Sequence, residues 1–230
     1  MSRLGNLLFD IKKWHSKKLP YSCHLYRQRA EIYQNLPDRA KKVIANLSSD
    51  DLCIDCGANI GSATTLFAKY GCKVIAFEPY LEAFSVLKLN TRKYERVQVL
   101  QKAVVADDTK TVFLRFTDRH AEDVLGASIG ASISKSKPNL TENGARVDAV
   151  NLANFIASQS HVAILKIDVE GYETELVPKL LESNCLDKVD HVFLETHISA
   201  RWPNSAQDTE EMISLISGSK YSDKFTLEWP

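Results

Sequence analysis

The stretch that most constrains the fold is the run Asp55-Cys56-Gly57-Ala58-Asn59-Ile60-Gly61. It closes an apolar run, supplies two glycines and opens a segment with the pattern of a helix. A strand that leads into a helix N-terminus leaves backbone N–H groups unpaired, and glycines let that backbone approach a ligand closely or adopt a positive φ. The stretch therefore predicts a strand-turn-helix unit that binds a nucleotide-like ligand.

The spacing of the glycines in this turn narrows the classes of ligand that it could bind. Gly57 and Gly61 are separated by three residues, which matches neither the G-x-G-x-x-G dinucleotide fingerprint nor the P-loop. An acid two residues before the first glycine would repel a pyrophosphate but could bind an ammonium group. The pattern therefore favours the amino-acid end of S-adenosylmethionine. The candidate contacts in this turn are Asp55, Gly57, Ala58, Asn59 and Gly61.

A second acid follows about twenty residues later, where the β-rich run Lys73 to Phe77 ends in Glu78-Pro79. The residue before a proline favours an extended conformation, and a carboxylate at the end of a second strand can accept hydrogen bonds from both ribose hydroxyls. We therefore predict that Glu78 binds a ribose, the alternative being a solvated acid at a strand end. Pro79 and Ala103 complete the candidate cofactor contacts.

Length and composition favour one domain that acts on small molecules. The 230 residues are 44% hydrophobic, enough for the core of one α/β domain. The 29 basic and 29 acidic residues balance, so no global field attracts nucleic acid or membrane. Five scattered cysteines and an N-terminus without a signal-peptide core predict a cytoplasmic, reducing location. Cys53 and Cys56 would lie on opposite strand faces, which argues against metal or redox use.

Residues 1–50 are predicted to form an N-terminal helical extension. A basic amphipathic helix from Leu4 to Trp14 is expected to pack on the domain, with weak contact to a membrane surface as the alternative. Two further helices are predicted, from near Tyr26 to Leu36 and from Pro37 to near Leu47. No apolar run is long enough to span a bilayer.

From residue 51 to residue 230 the pattern predicts one domain in which strands and helices alternate, which implies parallel strands with right-handed crossovers. Val97 to Val105 is predicted as one strand, and Thr111 to Phe116 as an extra strand. The polar segment 117–145 follows. A loop of this length is usually a lid or a disordered insertion. Ile129 and Ile133 give it apolar side chains to bury, so we favour a lid.

Charged residues lie at the ends of two later strands. In the run from Val162 to Gly171, period-two spacing places Lys166, Asp168 and Glu170 on one face, and the strand Val189 to Leu194 leads into Glu195 and His197. If the strands are neighbours, these side chains share the carboxyl edge, where ligands bind in open α/β sheets. The alternative is that Lys166 neutralises Asp168 while the others are solvated. A helix from Thr209 to Ser217 and a strand from Lys224 to Trp229 complete the chain.

Four motifs, taken in order, resemble the FkbM family of methyltransferases. They are Asp55-x-Gly57-Ala58-Asn59-x-Gly61, Phe77-Glu78-Pro79, Leu87-x-x-Asn90 and Lys166-Ile167-Asp168-Val169-Glu170-Gly171-x-Glu173. The resemblance, from about Leu52 to about His197, implies an α/β, Rossmann-like class I methyltransferase fold with a mostly parallel twisted sheet and helices on both faces. It also implies S-adenosylmethionine as methyl donor and a hydroxyl acceptor on a sugar, glycan or polyketide. Such folds generally end in an antiparallel hairpin, whereas only one clear strand follows His197 here.

The resemblance makes the charged residues candidates for catalysis of O-methylation. His197 is the first candidate base, because an unperturbed pKa near 6.5 leaves the ring largely neutral at physiological pH. Asp168 is the second candidate, and Glu170 completes the catalytic set. A Mg²⁺ or Mn²⁺ ion held by these residues remains an alternative, although no dense ligand motif predicts a metal. The rival functions are an NAD-dependent oxidoreductase, which lacks its fingerprint here, and a catalytically silent cofactor-binding module.

Overall fold

The computed structural model describes residues 21–117, 130–134, 137, 140–198, 205–227 and 229. The predicted helix from Leu4 to Trp14 lies outside the described residues. The helices are α1 (Tyr21–Asn35), α2 (Asp38–Ala45), α3 (Ser62–Ala68), α4 (Leu81–Thr91), α5 (Leu152–Ala157), α6 (Glu173–Glu182) and α7 (Ser205–Ser217). The strands are β1 (Leu52–Cys56), β2 (Lys73–Phe77), β3 (Val97–Leu100), β4 (Ala103–Val105), β5 (Thr111–Thr117), β6 (Leu140–Asn151), β7 (Val162–Ile167), β8 (Val189–Leu194) and β9 (Phe225–Thr226).

The main sheet has six strands in the order β3-β2-β1-β7-β8-β9, and every neighbouring pair is parallel. Its central strands are apolar along nearly their whole length, as expected for strands that are covered on both faces. The direction of winding reverses between β1 and β7. In such sheets ligands bind beyond the carboxyl ends of the strands at this reversal. The predicted Rossmann-like, mostly parallel α/β fold is confirmed.

Helices cover both faces of the main sheet. On one face, buried side chains of β1, β7 and β8 pack against α5, α6 and α7. On the other face they pack against α2 and α3, where Ala40 and Ile44 of α2 are fully buried. Cys53 and Cys56 belong to these two different clusters, so they lie on opposite faces as predicted. The described part of the segment 1–50 therefore shares its core with the sheet.

A second sheet, formed by β4, β5 and β6, differs from the sequence prediction at two boundaries. The predicted strand Val97 to Val105 is two strands, because β3 continues the main sheet whereas β4 pairs in parallel with β6. β6 is also antiparallel to β5 and begins at Leu140. The first residue and the last six residues of the predicted lid 117–145 are therefore strand and not loop. Residues 118–129 of that segment lie outside the described residues.

The C-terminal half differs from the sequence prediction in two further respects. The sequence analysis named no helix between β7 and β8, where α6 buries Leu176, Val177 and Leu180 at helical spacing. The last strand, β9, is shorter than predicted and lies parallel to β8. In the part of the chain that the structure describes, no antiparallel hairpin closes this edge of the main sheet. Nor is any described helix long and apolar enough to cross a membrane.

Candidate functional site

The turn after β1 is held by its neighbours on both sides. The backbone N–H groups of Gly57 and Ala58 both donate to Phe77 O, at 3.0 Å. Gly57 has a φ of 76°, and a Cβ added to it would lie 1.7 Å from the carbonyl oxygen of Asp168. Glycine is therefore required because the turns after β1 and β7 touch each other. The sequence analysis expected close approach to a ligand or a positive φ at this glycine; the positive φ is observed, and the contact with the turn after β7 was not foreseen.

A buried lysine connects the turn after β1 to the turn after β7. Lys166 is 2% exposed, and its Nζ donates to Gly57 O at 2.8 Å and to Asp168 Oδ2 at 2.9 Å. Nζ also lies 3.4 Å from Asp55 Oδ1, while Thr64 donates to Asp55 Oδ2 at 2.5 Å. Burial lowers the pKa of Lys166, but the charges of Asp168 and Asp55 outweigh it and raise the pKa above its ordinary value.

This network determines where Asp55 lies. The residue is fully buried, and its carboxylate faces Lys166 and Thr64. Asp55 is absent from the walls of the two clefts described below. The predicted direct contact of Asp55 with a ligand therefore stays a prediction, while the structure shows a carboxylate that supports the turn from beneath.

Glu78 connects the end of β2 to the turn after β1. Its Oε2 accepts from Asn59 N at 2.7 Å and its Oε1 accepts from Tyr80 N at 2.8 Å. The residue is only 6% exposed. Burial raises the pKa of Glu78 to about 7, although the two N–H donors act in the opposite direction. The carboxylate is thus fixed at the carboxyl edge of the sheet and is not a solvated strand-end acid.

Two clefts open on either side of the turn after β1 and share Gly57, Asn59 and Asp168. The first cleft brings together Asn59, Glu78, Pro79, Ala103, Asp168 and Val169. The second cleft is lined by Gln28, Ile32, Gly57, Ala58, Ser62 and Lys166, among others. Most of the predicted cofactor contacts therefore lie on these walls. Gly61, which has a φ of 96° and immediately precedes α3, lies on neither wall.

The second cleft contains a contribution that the sequence analysis missed. Gln28 of α1 accepts a hydrogen bond from Ser62 Oγ at 2.9 Å. The N-terminal helices had been treated as an extension outside the site.

The asparagine of the third sequence motif, Asn90, supports the turn after β1. Its Nδ2 donates to Ile60 O at 2.8 Å, so a side chain of α4 holds the backbone of this turn.

The predicted charged rim is assembled around His197, beyond the ends of β7 and β8. Its Nε2 lies 3.7 Å from Asp168 Oδ1, 3.6 Å from Glu170 Oε2 and 3.7 Å from Glu195 Oε1. Its Nδ1 lies 3.1 Å from Glu173 Oε1. The four carboxylates thus surround one imidazole, and the structure brings together all three predicted catalytic residues. We call Asp168, Glu170, Glu195 and His197 the acidic rim.

The charge state expected for His197 is wrong. Burial lowers the pKa of the ring, but the contact with Glu173 and the charges of Asp168 and Glu170 raise it to about 9. The protonated, cationic form of the imidazole is therefore favoured at neutral pH. The sequence could not show this, because the shift comes from side chains that the fold brings together.

Lys137 adds an unexpected cation to the rim. It belongs to the segment between β5 and β6, is 8% exposed, and donates to Glu170 Oε2 at 2.9 Å and to Glu170 O at 3.2 Å. Residues 131–133 of the same segment line the first cleft. Ser132 and Arg115 exchange backbone hydrogen bonds of 3.0 Å, which attach this part of the segment to β5.

The parallel sheet, the glycine turn and the acid at the end of β2 define a class I methyltransferase fold. Residues 55–223 match the model of the methyltransferase FkbM domain. The chain belongs to this family, and it is an S-adenosylmethionine-dependent methyltransferase. This placement favours the methyl donor over the nicotinamide alternative.

Solved structures with similar folds include two methyltransferases of low sequence identity. A putative rRNA methylase from Clostridium thermocellum has a TM-score of 0.49 at 9% identity, covering 82% of this chain and 84% of that chain. A putative O-methyltransferase from Klebsiella pneumoniae has a TM-score of 0.45 at 8% identity, covering 86% of this chain and 77% of that chain. No curated protein sequence matches the chain significantly.

Proposed function

We propose that the protein transfers a methyl group from S-adenosylmethionine to a hydroxyl oxygen of a sugar, glycan or other small natural product. The observation that carries this proposal is the position of Asp168. This residue lines both clefts beside the glycine turn, and its carboxylate also belongs to the acidic rim. A donor in the clefts and an acceptor at the rim would therefore meet at one place.

The two clefts fit the two ends of the donor. In the first cleft, Glu78 supplies a buried carboxylate for the ribose hydroxyls, while Pro79 and Ala103 supply apolar surface for the adenine. In the second cleft, Gly57 and Asn59 present the backbone of the turn to the amino-acid end of the donor. The cationic Lys166 lines the same cleft, and its charge would attract the donor's carboxylate. Gln28 and Ser62 add polar atoms at the opposite wall.

The bound donor supplies an electrophilic methyl group on a sulfonium, and the residues of this chain orient the acceptor and handle its proton. Fixed placement of the two reactants can contribute about 7 to 11 kcal/mol to lowering the barrier. A positioned acid or base adds about 10² to 10⁴-fold. We assign Asp168 and Glu170, which line the first cleft, to acceptance of the proton of the acceptor hydroxyl. We assign the adjacent cationic His197 to binding and orientation of the acceptor.

A small acceptor suits the overall charge better than nucleic acid. Affinity for nucleic acid rests mainly on cationic side chains that neutralise phosphates. Here acidic and basic residues balance, and carboxylates dominate the rim. We propose that the segment 118–139, between β5 and β6, acts as the lid over this acceptor, since its residues 131–133 line the first cleft.

A matched pair of histidine variants tests the proposal. His197→Gln should lower kcat about 10- to 100-fold, because it removes a charge-assisted contact to the acceptor worth about 1.5 to 3 kcal/mol. It should leave the Kd of the donor unchanged, because the ring lies on the acceptor side. His161 also pairs with a carboxylate, Asp190, but both side chains are about half exposed at the amino ends of β7 and β8. His161→Gln should leave kcat and Kd unchanged. Wild-type turnover in His197→Gln would contradict the assignment of the rim.

A further inference from the structure

We infer that Asp168, Glu170 and His197 form a binding site for a divalent cation of the Mn²⁺ and Mg²⁺ class. One ligand atom from each residue lies within 4.8 Å of the other two. The cation's role in binding the acceptor rests on the function proposed above, whereas the site itself rests on side-chain geometry.

The distances suit a shared ion. Two ligands at about 2.1 Å from one ion stand roughly 3 Å apart when adjacent and about 4 Å apart when opposite. His197 Nε2 lies 3.7 Å from Asp168 Oδ1 and 3.6 Å from Glu170 Oε2, within that interval. All three side chains are partly buried, and three protein ligands would leave further coordination positions of a bound ion for water or an acceptor oxygen.

A buried carboxylate lies against the ring nitrogen of His197 that points away from Asp168 and Glu170. Glu173 is 2% exposed and accepts hydrogen bonds from Val169 N at 2.7 Å and from Gly171 N at 2.8 Å. It lies 3.1 Å from His197 Nδ1, so the opposite nitrogen faces Asp168 and Glu170. A carboxylate that holds the distal nitrogen of a histidine is the usual support of a metal ligand. Glu173 is thus a second observation, independent of the three ligand atoms.

The charges around the site favour a dication. Among the described residues, one contact network joins five acidic side chains and three cationic ones: Asp55, Asp168, Glu170, Glu173 and Glu195 with Lys137, Lys166 and His197. Burial raises the pKa of Glu195 to about 7, so this carboxylate carries only part of a charge at neutral pH. The carboxylates still outnumber the cationic side chains. Partly buried charges are stable only when they are paired. A dication that replaces the imidazole proton would compensate more of this excess negative charge.

The ligand types select the ion. Carboxylates suit Mg²⁺, Ca²⁺ and Mn²⁺, whereas imidazole suits later transition metals, and thiolate ligands are absent from this cluster. Mn²⁺ accepts both kinds of ligand. A bound ion of this class would lower the pKa of a coordinated acceptor hydroxyl, which makes its oxygen a better nucleophile. It would favour acceptors with two adjacent oxygens, such as a vicinal diol.

Titration with Mn²⁺, followed by the loss of the free-ion electron paramagnetic resonance signal, tests the site without any methyl transfer. The metal-free wild-type protein should bind one ion per chain. Glu170→Gln and Asp168→Asn should each weaken this binding at least about tenfold, a difference of 1.4 kcal/mol. The control variants Asp190→Asn and His161→Gln remove the exposed pair at the other edge of the sheet and should bind Mn²⁺ as the wild type does.

Substitution of Lys137 should strengthen Mn²⁺ binding instead of weakening it. Its Nζ pairs with Glu170 Oε2 at 2.9 Å and so competes with the ion for that oxygen. Lys137→Met should therefore bind Mn²⁺ more tightly than the wild type. Absence of Mn²⁺ binding in the wild type, or equal affinity in the wild type and Glu170→Gln, would overturn the inference. S-adenosylmethionine affinity measured on the same samples separates this failure from failure of the proposed function, because intact donor binding would leave that function standing.

Discussion

The buried carboxylate of Glu78 should make stability depend on pH in a direction opposite to that of most acids. In the folded protein, burial raises its pKa from an ordinary 4.5 to about 7, while both oxygens accept backbone hydrogen bonds. The folded state therefore holds the proton more tightly than the unfolded state. The free energy of unfolding must fall as the pH rises between these two pKa values.

The magnitude follows from the shift. Each pKa unit corresponds to about 1.36 kcal/mol. The rise in the pKa of Glu78 from 4.5 to about 7 therefore means that the ionised carboxylate destabilises the fold by about 3 kcal/mol above neutral pH. Glu78→Gln keeps the size of the side chain and cannot ionise. The free energy of unfolding of Glu78→Gln minus that of the wild type should therefore rise by about 3 kcal/mol between about pH 4.5 and about pH 8.

Urea unfolding at a series of pH values measures this difference directly. Glu95→Gln is the matched control, because Glu95 is exposed on the loop before β3. The difference between Glu95→Gln and the wild type should stay flat over the same range. A flat or falling difference for Glu78→Gln would refute the account of Glu78 as a desolvated carboxylate.

Three further predictions follow from the contacts around the site. Gly57→Ala should cost more than about 3 kcal/mol, because the added Cβ meets a backbone oxygen at 1.7 Å, whereas Gly71→Ala, with open space at a φ of 81°, should cost about 1 to 2 kcal/mol. Equal melting temperatures for the two variants would contradict this packing argument. Lys166→Met should cost about 3 to 5 kcal/mol in urea unfolding, because it leaves the fully buried Asp55 and the partly buried Asp168 without their cation, whereas Lys179→Met on the exposed pair with Glu182 should change stability by less than about 1 kcal/mol. Hydrogen exchange at the Ser132 amide should slow when donor and acceptor bind, because its segment forms a wall of the first cleft, and unchanged exchange would argue against the lid.

The central sheet could be predicted from sequence because its determinants are local. β2 and β8 were predicted with their observed bounds, since each is a short segment rich in β-branched and aromatic residues. The split between β3 and β4 could not be predicted in the same way. β4 leaves the main sheet because it pairs with β6, more than forty residues further along the chain. Pairing over such separations leaves no local pattern.

The site was predicted to a similar extent. Period-two spacing correctly brought Asp168, Glu170 and His197 to one edge, because the carboxyl ends of adjacent parallel strands coincide. The roles of Lys137 and Gln28 were missed, since each reaches the site from a segment distant in sequence. The raised pKa of His197 was missed for the same physical reason: it depends on neighbours that only the tertiary fold supplies.

The most direct test of the proposed function is transfer of a deuterated methyl group. Small-molecule extracts would be incubated with the protein and S-adenosylmethionine carrying a trideuterated methyl group, and products would be identified by mass spectrometry. The account predicts a labelled methyl ether on a hydroxyl of a small acceptor, formed by the wild type and by His161→Gln but reduced about 10- to 100-fold with His197→Gln. Intact donor binding by the wild type with no labelled methyl ether in any extract would contradict it and favour a catalytically silent binding module.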